Sequence, residues 1–260
     1  MTKAALVTGA GSRLGRAMAV RLGERGYKVA VHYAGSEAGA AETVNLIEAA
    51  GGTGVALQAD LLSMDAAEAL VGRAAQALGV PLTVLINNAS IFEYDTIETA
   101  TRDSWARHMG SNLQAPFILT QEFAKQAPKA APDDMGEPEA QCAIINLLDQ
   151  RVRKLTPEFM TYTIAKMGLW AFTQTAARAL TPDIRVNAIG PGPTLRGGRQ
   201  SEEHFAKQRA NTISGRGSNP TDIVAAMEYI ISAPALTGQL LCIDGGQHLA
   251  WQTPDVIGVE

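Results

Sequence analysis

The chain has 260 residues, of which 46% are hydrophobic and 18% charged, and this balance is typical of a globular α/β domain and excludes a disordered chain. Its 22 basic and 26 acidic residues give a net charge of −4, which disfavours a nucleic-acid partner. Because no apolar run is long enough for a membrane span or a secretory signal, the sequence predicts a cytoplasmic protein with no membrane partner.

Short apolar runs alternate with segments of helical periodicity along the chain. The predicted strands are residues 3–8, 28–33, 53–59, 82–86, 143–148, 184–189 and 239–243. The predicted helices are residues 13–25, 37–50, 65–78, 102–126, 158–180 and 221–232. Such alternation indicates parallel strands whose right-handed crossovers place helices on both faces. The sequence thus predicts an α/β fold, a single-domain doubly wound Rossmann fold over residues 1–260 with a seven-stranded parallel sheet.

Two segments of this domain lack a regular pattern. Residues 127–140 are polar and rich in proline, which predicts an excursion on the surface. Residues 190–218 follow the sixth strand and begin with several glycines and prolines, so we expect them to form a substrate loop.

The turn after the first strand is rich in glycine and leads directly into a helix. Glycines let a backbone approach a pyrophosphate, and free N–H groups at a helix N-terminus attract anions. In an alternating α/β chain this position predicts a dinucleotide site, with a turn that binds nothing as the alternative. The predicted contacts are Gly9, Ser12, Arg13, Leu14 and Gly15.

The end of the second strand distinguishes the two nicotinamide dinucleotides. An acid there binds the ribose 2′-hydroxyl of NAD, whereas basic groups suit the 2′-phosphate of NADP. Here the strand ends in His32 and Tyr33, Ser36 follows, and no acid precedes Glu37. With positive charge from Arg13 nearby, the sequence favours NADPH; an ordinary loop at His32 and Ser36 is the alternative.

Tyr162 and Lys166 are four residues apart in a predicted helix and therefore share one face. A tyrosine hydroxyl has a pKa of about 10, and a neighbouring ammonium favours its phenolate. We therefore expect Lys166 to lower the pKa of Tyr162, so that the phenol can exchange a proton with a substrate.

These motifs, taken together, resemble those of the short-chain dehydrogenase/reductase family over nearly the whole chain. The motifs are residues 8–15, Asp60-Leu61, Asn87-Asn88-Ala89, Asn112, Tyr162 with Lys166, and residues 191–194. The resemblance implies that Asp60 contacts adenine, that Lys166 holds the nicotinamide ribose and that Thr194 holds the carboxamide. It also implies that Asn112 completes a proton relay through water, with hydrogen bonds at element ends as the alternative for Asn88 and Asn112. Further implied cofactor contacts are Leu61, Asn88, Ala89, Ser90, Tyr162, Pro191 and Gly192.

One departure from the family narrows the substrate. Most members carry a serine about a dozen residues before the tyrosine, and here Asp149 takes its place. An ionised carboxylate would repel the oxyanion that forms when a ketone is reduced. It suits a nitrogen heterocycle, and a carboxyl whose pKa is raised by burial could protonate a ring nitrogen. Asp149 therefore favours C=N over C=O reduction, with a surface aspartate that begins a loop as the alternative.

Arg13, Asp149 and the segment Ser90-Ile91-Phe92 together resemble the pteridine reductases and the related bacterial dihydromonapterin/dihydrofolate reductases. That resemblance implies that Arg13 reaches the cofactor pyrophosphate and the pterin, and that Phe92 stacks on the pterin. A core or subunit contact is the alternative for Phe92. The arginine with which trypanosomatid pteridine reductases grip the 2′-phosphate, near Gly35, is absent here.

The sequence thus predicts an NADPH-dependent reductase that converts a dihydropterin or dihydrofolate to its tetrahydro form. The predicted catalytic residues are Asp149, Tyr162, Lys166 and Asn112, and the predicted substrate contacts are Arg13, Ser90, Phe92, Asp149 and Tyr162. A general carbonyl or alcohol oxidoreductase, such as the 3-oxoacyl reductase type, is the first alternative. A non-catalytic dinucleotide-binding sensor is the second.

Two further expectations concern metals and assembly. His108, His204 and His248 lack metal-ligand spacing and are expected on the surface or in packing, so no metal site is predicted. The family resemblance implies a homotetramer with residues 102–126 and 158–180 at the interface.

Overall fold

The computed structural model describes residues 2–198 and 200–253. The strands are β1 (Ala4–Val7), β2 (Lys28–Tyr33), β3 (Thr53–Gln58), β4 (Val84–Asn87), β5 (Ala131–Pro132), β6 (Pro138–Glu139), β7 (Cys142–Leu147), β8 (Ile184–Pro191) and β9 (Leu240–Ile243). The α-helices are α1 (Arg13–Glu24), α2 (Glu37–Ala49), α3 (Met64–Leu78), α4 (Arg102–Met109), α5 (Ala115–Gln126), α6 (Met160–Leu180), α7 (Glu202–Ala210) and α8 (Pro220–Ser232).

One seven-stranded sheet runs through the molecule in the order β3-β2-β1-β4-β7-β8-β9. All its pairs are parallel, and β1 lies between β2 and β4, with Val7 opposite Val31 on one side and Ile86 on the other. The predicted single-domain doubly wound α/β fold with a seven-stranded parallel sheet is confirmed for the described residues, and the ends of the predicted range 1–260 lie outside them. Because the strand order reverses between β1 and β4, a crevice opens above their carboxyl ends, where doubly wound proteins bind ligands.

The core lies in two layers, one on each face of the sheet. Successive residues of a strand point to opposite faces, so Leu85 packs in the layer beneath α3 and α5, and Ile86 packs in the layer beneath α1 and α8. Both side chains are fully buried. Burial on both faces explains why the central strands are continuous apolar runs.

Three local features differ from the expected pattern. The segment predicted as a surface excursion pairs β5 with β6 in a short antiparallel ribbon. The predicted helix 102–126 is interrupted between α4 and α5 by a π-helical turn, Gly110–Gln114. Helix α7 lies inside the predicted substrate loop and buries none of its residues, so it has no apolar periodicity by which sequence could show it.

Within the described residues, no helix combines the length and apolar character that crossing a membrane requires.

Candidate active site

Four strand ends bring the predicted functional segments to one edge of the sheet. Gly9 follows β1, Asn88 follows β4, Asp149 follows β7, and β8 ends at Pro191. Because the strands are parallel neighbours, these ends share the crevice at the switch in strand order.

The glycine-rich turn after β1 adopts a backbone that most residues resist. Gly9 has a φ of +63°, and a Cβ there would lie 3.0 Å from the Ala89 Cα. Arg13, the first residue of α1, also has a positive φ, of 53°. The Ser12 hydroxyl does not cap α1, so the side chain leaves the first N–H groups of the helix available to an anion. Leu14 is half-buried and Gly15 buried just inside α1.

Asn88 and Thr8 hold this turn against the end of β4. The Asn88 side-chain amide donates to the carbonyl oxygens of Thr8 at 2.8 Å and Gly9 at 3.2 Å. In return, the Thr8 hydroxyl accepts the backbone N–H groups of Asn88 and Ala89. The amide of Asn88 is therefore used to fix the shape of the turn.

The prediction that His32 contacts the cofactor is wrong for its imidazole. The ring is buried beneath the turn, where Nδ1 accepts the N–H of Gly9 at 3.0 Å and Nε2 lies 3.0 Å from the carbonyl oxygen of Ala59. Because Nδ1 accepts, Nε2 carries the proton and donates. Burial lowers the pKa of His32, so the ring is neutral and cannot supply charge to a phosphate.

The remaining groups predicted near the adenosine half lie at the crevice rim. Tyr33 is half-buried at the end of β2, and Ser36 is exposed at the start of α2. Asp60 is exposed after β3 and accepts the N–H of Leu62 at 3.0 Å, while Leu61 is buried.

Arg13 crosses the crevice to the predicted substrate loop. Its guanidinium donates to the carbonyl oxygens of Leu195 at 3.1 Å and Arg196 at 2.9 Å. On the same side, Gly192 packs so closely that a Cβ would lie 2.6 Å from the Asp244 Cβ. The Thr194 hydroxyl is buried and lies 2.5 Å from the Ser218 hydroxyl.

Asp149 uses its two carboxylate oxygens for two different purposes. Oδ1 accepts the N–H of Arg151 at 2.8 Å and so caps a 3₁₀ turn at Gln150–Val152. Oδ2 accepts the Tyr162 hydroxyl at 3.1 Å. Asp149 therefore begins a loop and contacts Tyr162 at the same time, so the two interpretations of this residue do not exclude each other. Burial raises the pKa of this carboxyl, opposed chiefly by the N–H and the charge of Arg151.

Tyr162 and Lys166 lie on one face of α6, as predicted, and both are buried. The Lys166 ammonium donates to the carbonyl oxygen of Leu147 at 2.6 Å and lies 5.7 Å from the centre of the Tyr162 ring. Burial lowers the pKa of Lys166 to about 8, against the opposing effect of the Asp149 charge.

The expected direction of the Tyr162 pKa shift is wrong. Burial, and then the adjacent Asp149 carboxylate, raise the pKa of the phenol well above its ordinary value. Both effects disfavour a phenolate. Tyr162 is therefore a neutral hydrogen-bond donor in the absence of a substrate.

Asn112 lies in the π-helical turn and orders the loop that carries Ser90 and Phe92. Its side-chain amide donates to the carbonyl oxygen of Ile91 at 2.8 Å and accepts the Ile91 N–H at 2.9 Å. A water relay through Asn112 stays a prediction.

A cluster of aromatic rings forms the mouth of the site. Phe92 is 48% exposed, and its ring meets Tyr162 edge-on at 4.7 Å between centroids. Phe159, which sequence reasoning missed, stacks on Phe92 at 4.4 Å with 7° between the planes. Tyr94 packs against Phe159 edge-on, and the Arg151 guanidinium lies 4.7 Å from the Phe159 centroid. The sequence signal that could have identified Phe159 is its aromatic side chain three positions before Tyr162, at the start of α6.

The described residues include no group of three or more His, Cys, Asp or Glu side chains that could hold a metal ion. His108 is fully buried and His248 pairs with Asp244.

A comparison with protein families decides the family. The short chain dehydrogenase model matches residues 3–206. The chain belongs to the short-chain dehydrogenase/reductase family. The family assignment agrees with the parallel sheet and with the Tyr162–Lys166 pair beside its carboxyl edge.

The chain is similar to more than one kind of reductase within the short-chain dehydrogenase/reductase family. FolM alternative dihydrofolate reductase 1 from Brucella suis, solved in complex with NADP, superposes with a TM-score of 0.90 and 37% identity, over 97% of this chain and 98% of that one. An angucycline C-6 ketoreductase, LanV, with bound NADP, gives a TM-score of 0.84 and 31% identity over 95% of this chain and 96% of that one. The 3-oxoacyl-[acyl-carrier-protein] reductase FabG of Staphylococcus aureus is 32% identical over 96% of this chain and 99% of its own.

Proposed function

We propose that the protein is an NADPH-dependent reductase that converts a dihydropterin or dihydrofolate to its tetrahydro form by reducing a C=N bond. The observation that carries this proposal is the hydrogen bond from Tyr162 to Asp149, which puts a carboxyl beside the family's acid–base tyrosine. The likeness to the NADP-bound dihydrofolate reductase supports it.

The crevice suits a dinucleotide. The turn at Gly9 and the start of α1 offer backbone N–H groups for a pyrophosphate, and a Cβ at Gly15 would clash with the Gly9 carbonyl oxygen. The Arg13 guanidinium supplies positive charge where it crosses the crevice, and the Ser36 hydroxyl at the start of the neighbouring helix α2 suits a 2′-phosphate. When bound, the cofactor supplies the hydride. We assign the other cofactor contacts to Tyr33, Asp60, Leu61, Ala89, Ser90, Lys166, Pro191, Gly192 and Thr194.

The aromatic mouth suits a flat heterocycle. A planar ring that lies on Phe92 would be held next to the Tyr162 hydroxyl, since the two side chains are in contact. Ser90 is exposed beside Phe92, and Arg13 spans the opposite rim. These groups would orient the ring, with Asp149 facing one of its nitrogens.

The carboxyl of Asp149 is suited to proton transfer to nitrogen. Its raised pKa brings it closer to neutral pH, where a general acid is most effective. Tyr162 hydrogen-bonds to the carboxyl, and Lys166 holds the end of β7 through the Leu147 carbonyl. Asn112 fixes the Phe92 loop.

A carbonyl or alcohol oxidoreductase is the second candidate, favoured by the likeness to LanV and FabG. In that case Tyr162 would protonate the developing alkoxide directly, and Asp149 would act only as the cap of its turn. The non-catalytic sensor is disfavoured because binding alone does not need a buried tyrosine hydroxyl that donates to a carboxyl, as Tyr162 does to Asp149.

The discriminating experiment measures NADPH oxidation by the purified protein, followed by absorbance. Dihydrobiopterin, dihydromonapterin and dihydrofolate are compared with an acetoacetyl thioester and a simple diketone, and Tyr162→Phe serves as a control of reduced activity. Turnover of a dihydropterin supports the proposal. Turnover of the carbonyl compounds alone contradicts it, and NADPH binding without any turnover would favour the sensor.

We also propose that the chain forms a homotetramer through α4, α5 and α6. Large apolar side chains on these helices are partly exposed, including Trp105 at 46%, Phe117 at 42% and Ile164 at 40%. Their burial between subunits would remove apolar surface from water.

A further inference from the structure

A second polar cluster lies behind the catalytic tyrosine and is used by no step proposed above. Its members are Asp95, His108 and Thr161, which are 2%, 0% and 2% exposed. The Thr161 hydroxyl lies 2.5 Å from Asp95 Oδ2 and 2.6 Å from His108 Nδ1. Asp95 Oδ1 also accepts the Thr161 N–H at 3.1 Å. Buried polar groups paired this fully favour a single arrangement of the segments that carry them.

The hydrogen bonds in the cluster can run in only one direction. A backbone N–H can only donate, so the contact from Glu93 N to His108 Nε2, at 3.1 Å, makes Nε2 the acceptor. The proton of the neutral imidazole is then on Nδ1 and is donated to the Thr161 hydroxyl. That hydroxyl in turn donates its single hydrogen to Asp95, as Ser104 Oγ also does.

The cluster joins the three segments that carry the site. Thr161 immediately precedes Tyr162 on α6, and the Glu93 N–H follows Phe92 in the β4–α4 loop. His108 is on α4, four residues before Asn112, and its ring meets Tyr162 edge-on at 6.0 Å between centroids. A change in any of these hydrogen bonds would therefore move the tyrosine relative to the Phe92 ring that meets it edge-on.

We propose that Thr161, His108 and Asp95 form a positioning unit that sets the place of the Tyr162 hydroxyl between Asp149 and Phe92. The unit touches neither substrate nor cofactor and acts through Tyr162. The inference rests on catalysis by Tyr162, and it holds for a dihydropterin or a carbonyl substrate alike. The test therefore uses whichever substrate the enzyme reduces.

Thr161→Val removes the linking hydroxyl and keeps the shape of the side chain. A displacement of about 1 Å can reduce a rate roughly a hundredfold, so we expect kcat to fall about tenfold to a hundredfold while the Kd for NADPH stays within about twofold. Thr161→Ser, which keeps the hydroxyl, should restore most of the rate. Thr163→Val is the matched control, because the described residues provide no hydrogen-bond partner for the buried Thr163 hydroxyl.

A double-mutant cycle with Tyr162→Phe separates positioning from a general loss of structure. If Thr161 acts through Tyr162, Thr161→Val lowers the residual rate of Tyr162→Phe by less than about twofold. An equal loss in both backgrounds, or a kcat of Thr161→Val equal to wild type, would overturn the proposal.

A readout that needs no turnover covers the case in which Thr161→Val does not fold or no substrate is found. Nitrogen NMR of histidine-labelled protein should show His108 protonated at Nδ1 and unprotonated at Nε2. In Asp95→Asn, the amide can donate towards Thr161, and the His108 nitrogen signals should shift. Protonation of His108 at Nε2 in the wild type would contradict the direction of the chain and with it the proposal.

Discussion

Replacement of Asp149 by serine tests the chemistry directly, because it restores the residue that most of the family carries. Asp149 has two partners, the Arg151 N–H at 2.8 Å and the Tyr162 hydroxyl at 3.1 Å. A serine hydroxyl can still cap the turn, so the backbone should be kept. The change therefore removes the acid and its charge without removing the cap.

Asp149→Ser should change the reduction rate in opposite directions for the two substrate classes. A general acid contributes about a hundredfold to ten-thousandfold in rate, so loss of Asp149 should cost a dihydropterin reduction about 3–5 kcal/mol. A carbonyl oxygen bound to Tyr162 would lie ~5 Å from the carboxylate, where two charges repel by about 3 kcal/mol at an effective dielectric constant of ~20. Because Asp149 is partly exposed, relief of that repulsion should raise diketone reduction by about tenfold to a hundredfold.

The assay compares kcat and kcat/KM of wild type and Asp149→Ser on dihydrobiopterin and on a diketone, with the NADPH Kd as a check on the fold. Asp149→Asn is the companion variant, because it keeps the size of the side chain and lacks the acid. Opposite changes on the two substrates support the reasoning. Dihydropterin turnover that survives in Asp149→Ser, or equal losses on both substrates, would show that Asp149 serves only to hold its turn.

Three further predictions concern the stacking ring, the cofactor turn and the assembly. Phe92→Leu should raise the KM for a dihydropterin about tenfold through loss of stacking, and an unchanged KM would place the ring elsewhere. The pKa of His32 is lower in the folded chain than in the unfolded chain. The free energy of unfolding should therefore fall as the pH drops below about 6.5, because the unfolded chain then binds more protons. Protonation of His32 Nδ1 also breaks its hydrogen bond with the Gly9 N–H, so NADPH binding should weaken at low pH. Titration calorimetry should show a smaller weakening in His32→Gln. Phe117→Asp should reduce the mass seen by light scattering, and a tetramer that persists would exclude α5 from the interface.

The sheet could be predicted from sequence because its central strands are buried on both faces. The predicted run 82–86, which lies between Pro81 and Asn87, is one of these strands, and the structure shifts it only to Val84–Asn87. Helix α7 could not be predicted, since a helix that buries no residue leaves no periodic signal. The π-helical turn was missed because local periodicity does not show where Asn112 must turn to reach Ile91.

The candidate site was predicted where a residue type by itself fixes the chemistry. Asp149, Tyr162 and Lys166 were predicted together from their places in the alternating fold, and in the structure the Tyr162 hydroxyl donates to Asp149 Oδ2 at 3.1 Å. The prediction for His32 was wrong because a histidine can form either a phosphate contact or a buried hydrogen bond. Only the fold shows that Nδ1 of His32 accepts the Gly9 N–H. The predicted direction of the Tyr162 pKa shift was wrong for a similar reason, because the sequence shows the nearby lysine but gives no measure of burial.

The pKa shifts in the site favour Asp149 over Tyr162 as the source of the proton. Burial moves the carboxyl towards neutral pH and moves the phenol further from it, so only the carboxyl approaches the range in which a general acid is effective. The Tyr162 hydroxyl and the Arg151 N–H each donate to one carboxyl oxygen, and each oxygen keeps a further lone pair that can carry a proton. We expect such an acid to suit a basic ring nitrogen, whereas an ionised carboxyl would repel the negative charge that develops on a ketone oxygen. We therefore propose that the same tyrosine and lysine can serve either reaction and that the residue at position 149 determines which one.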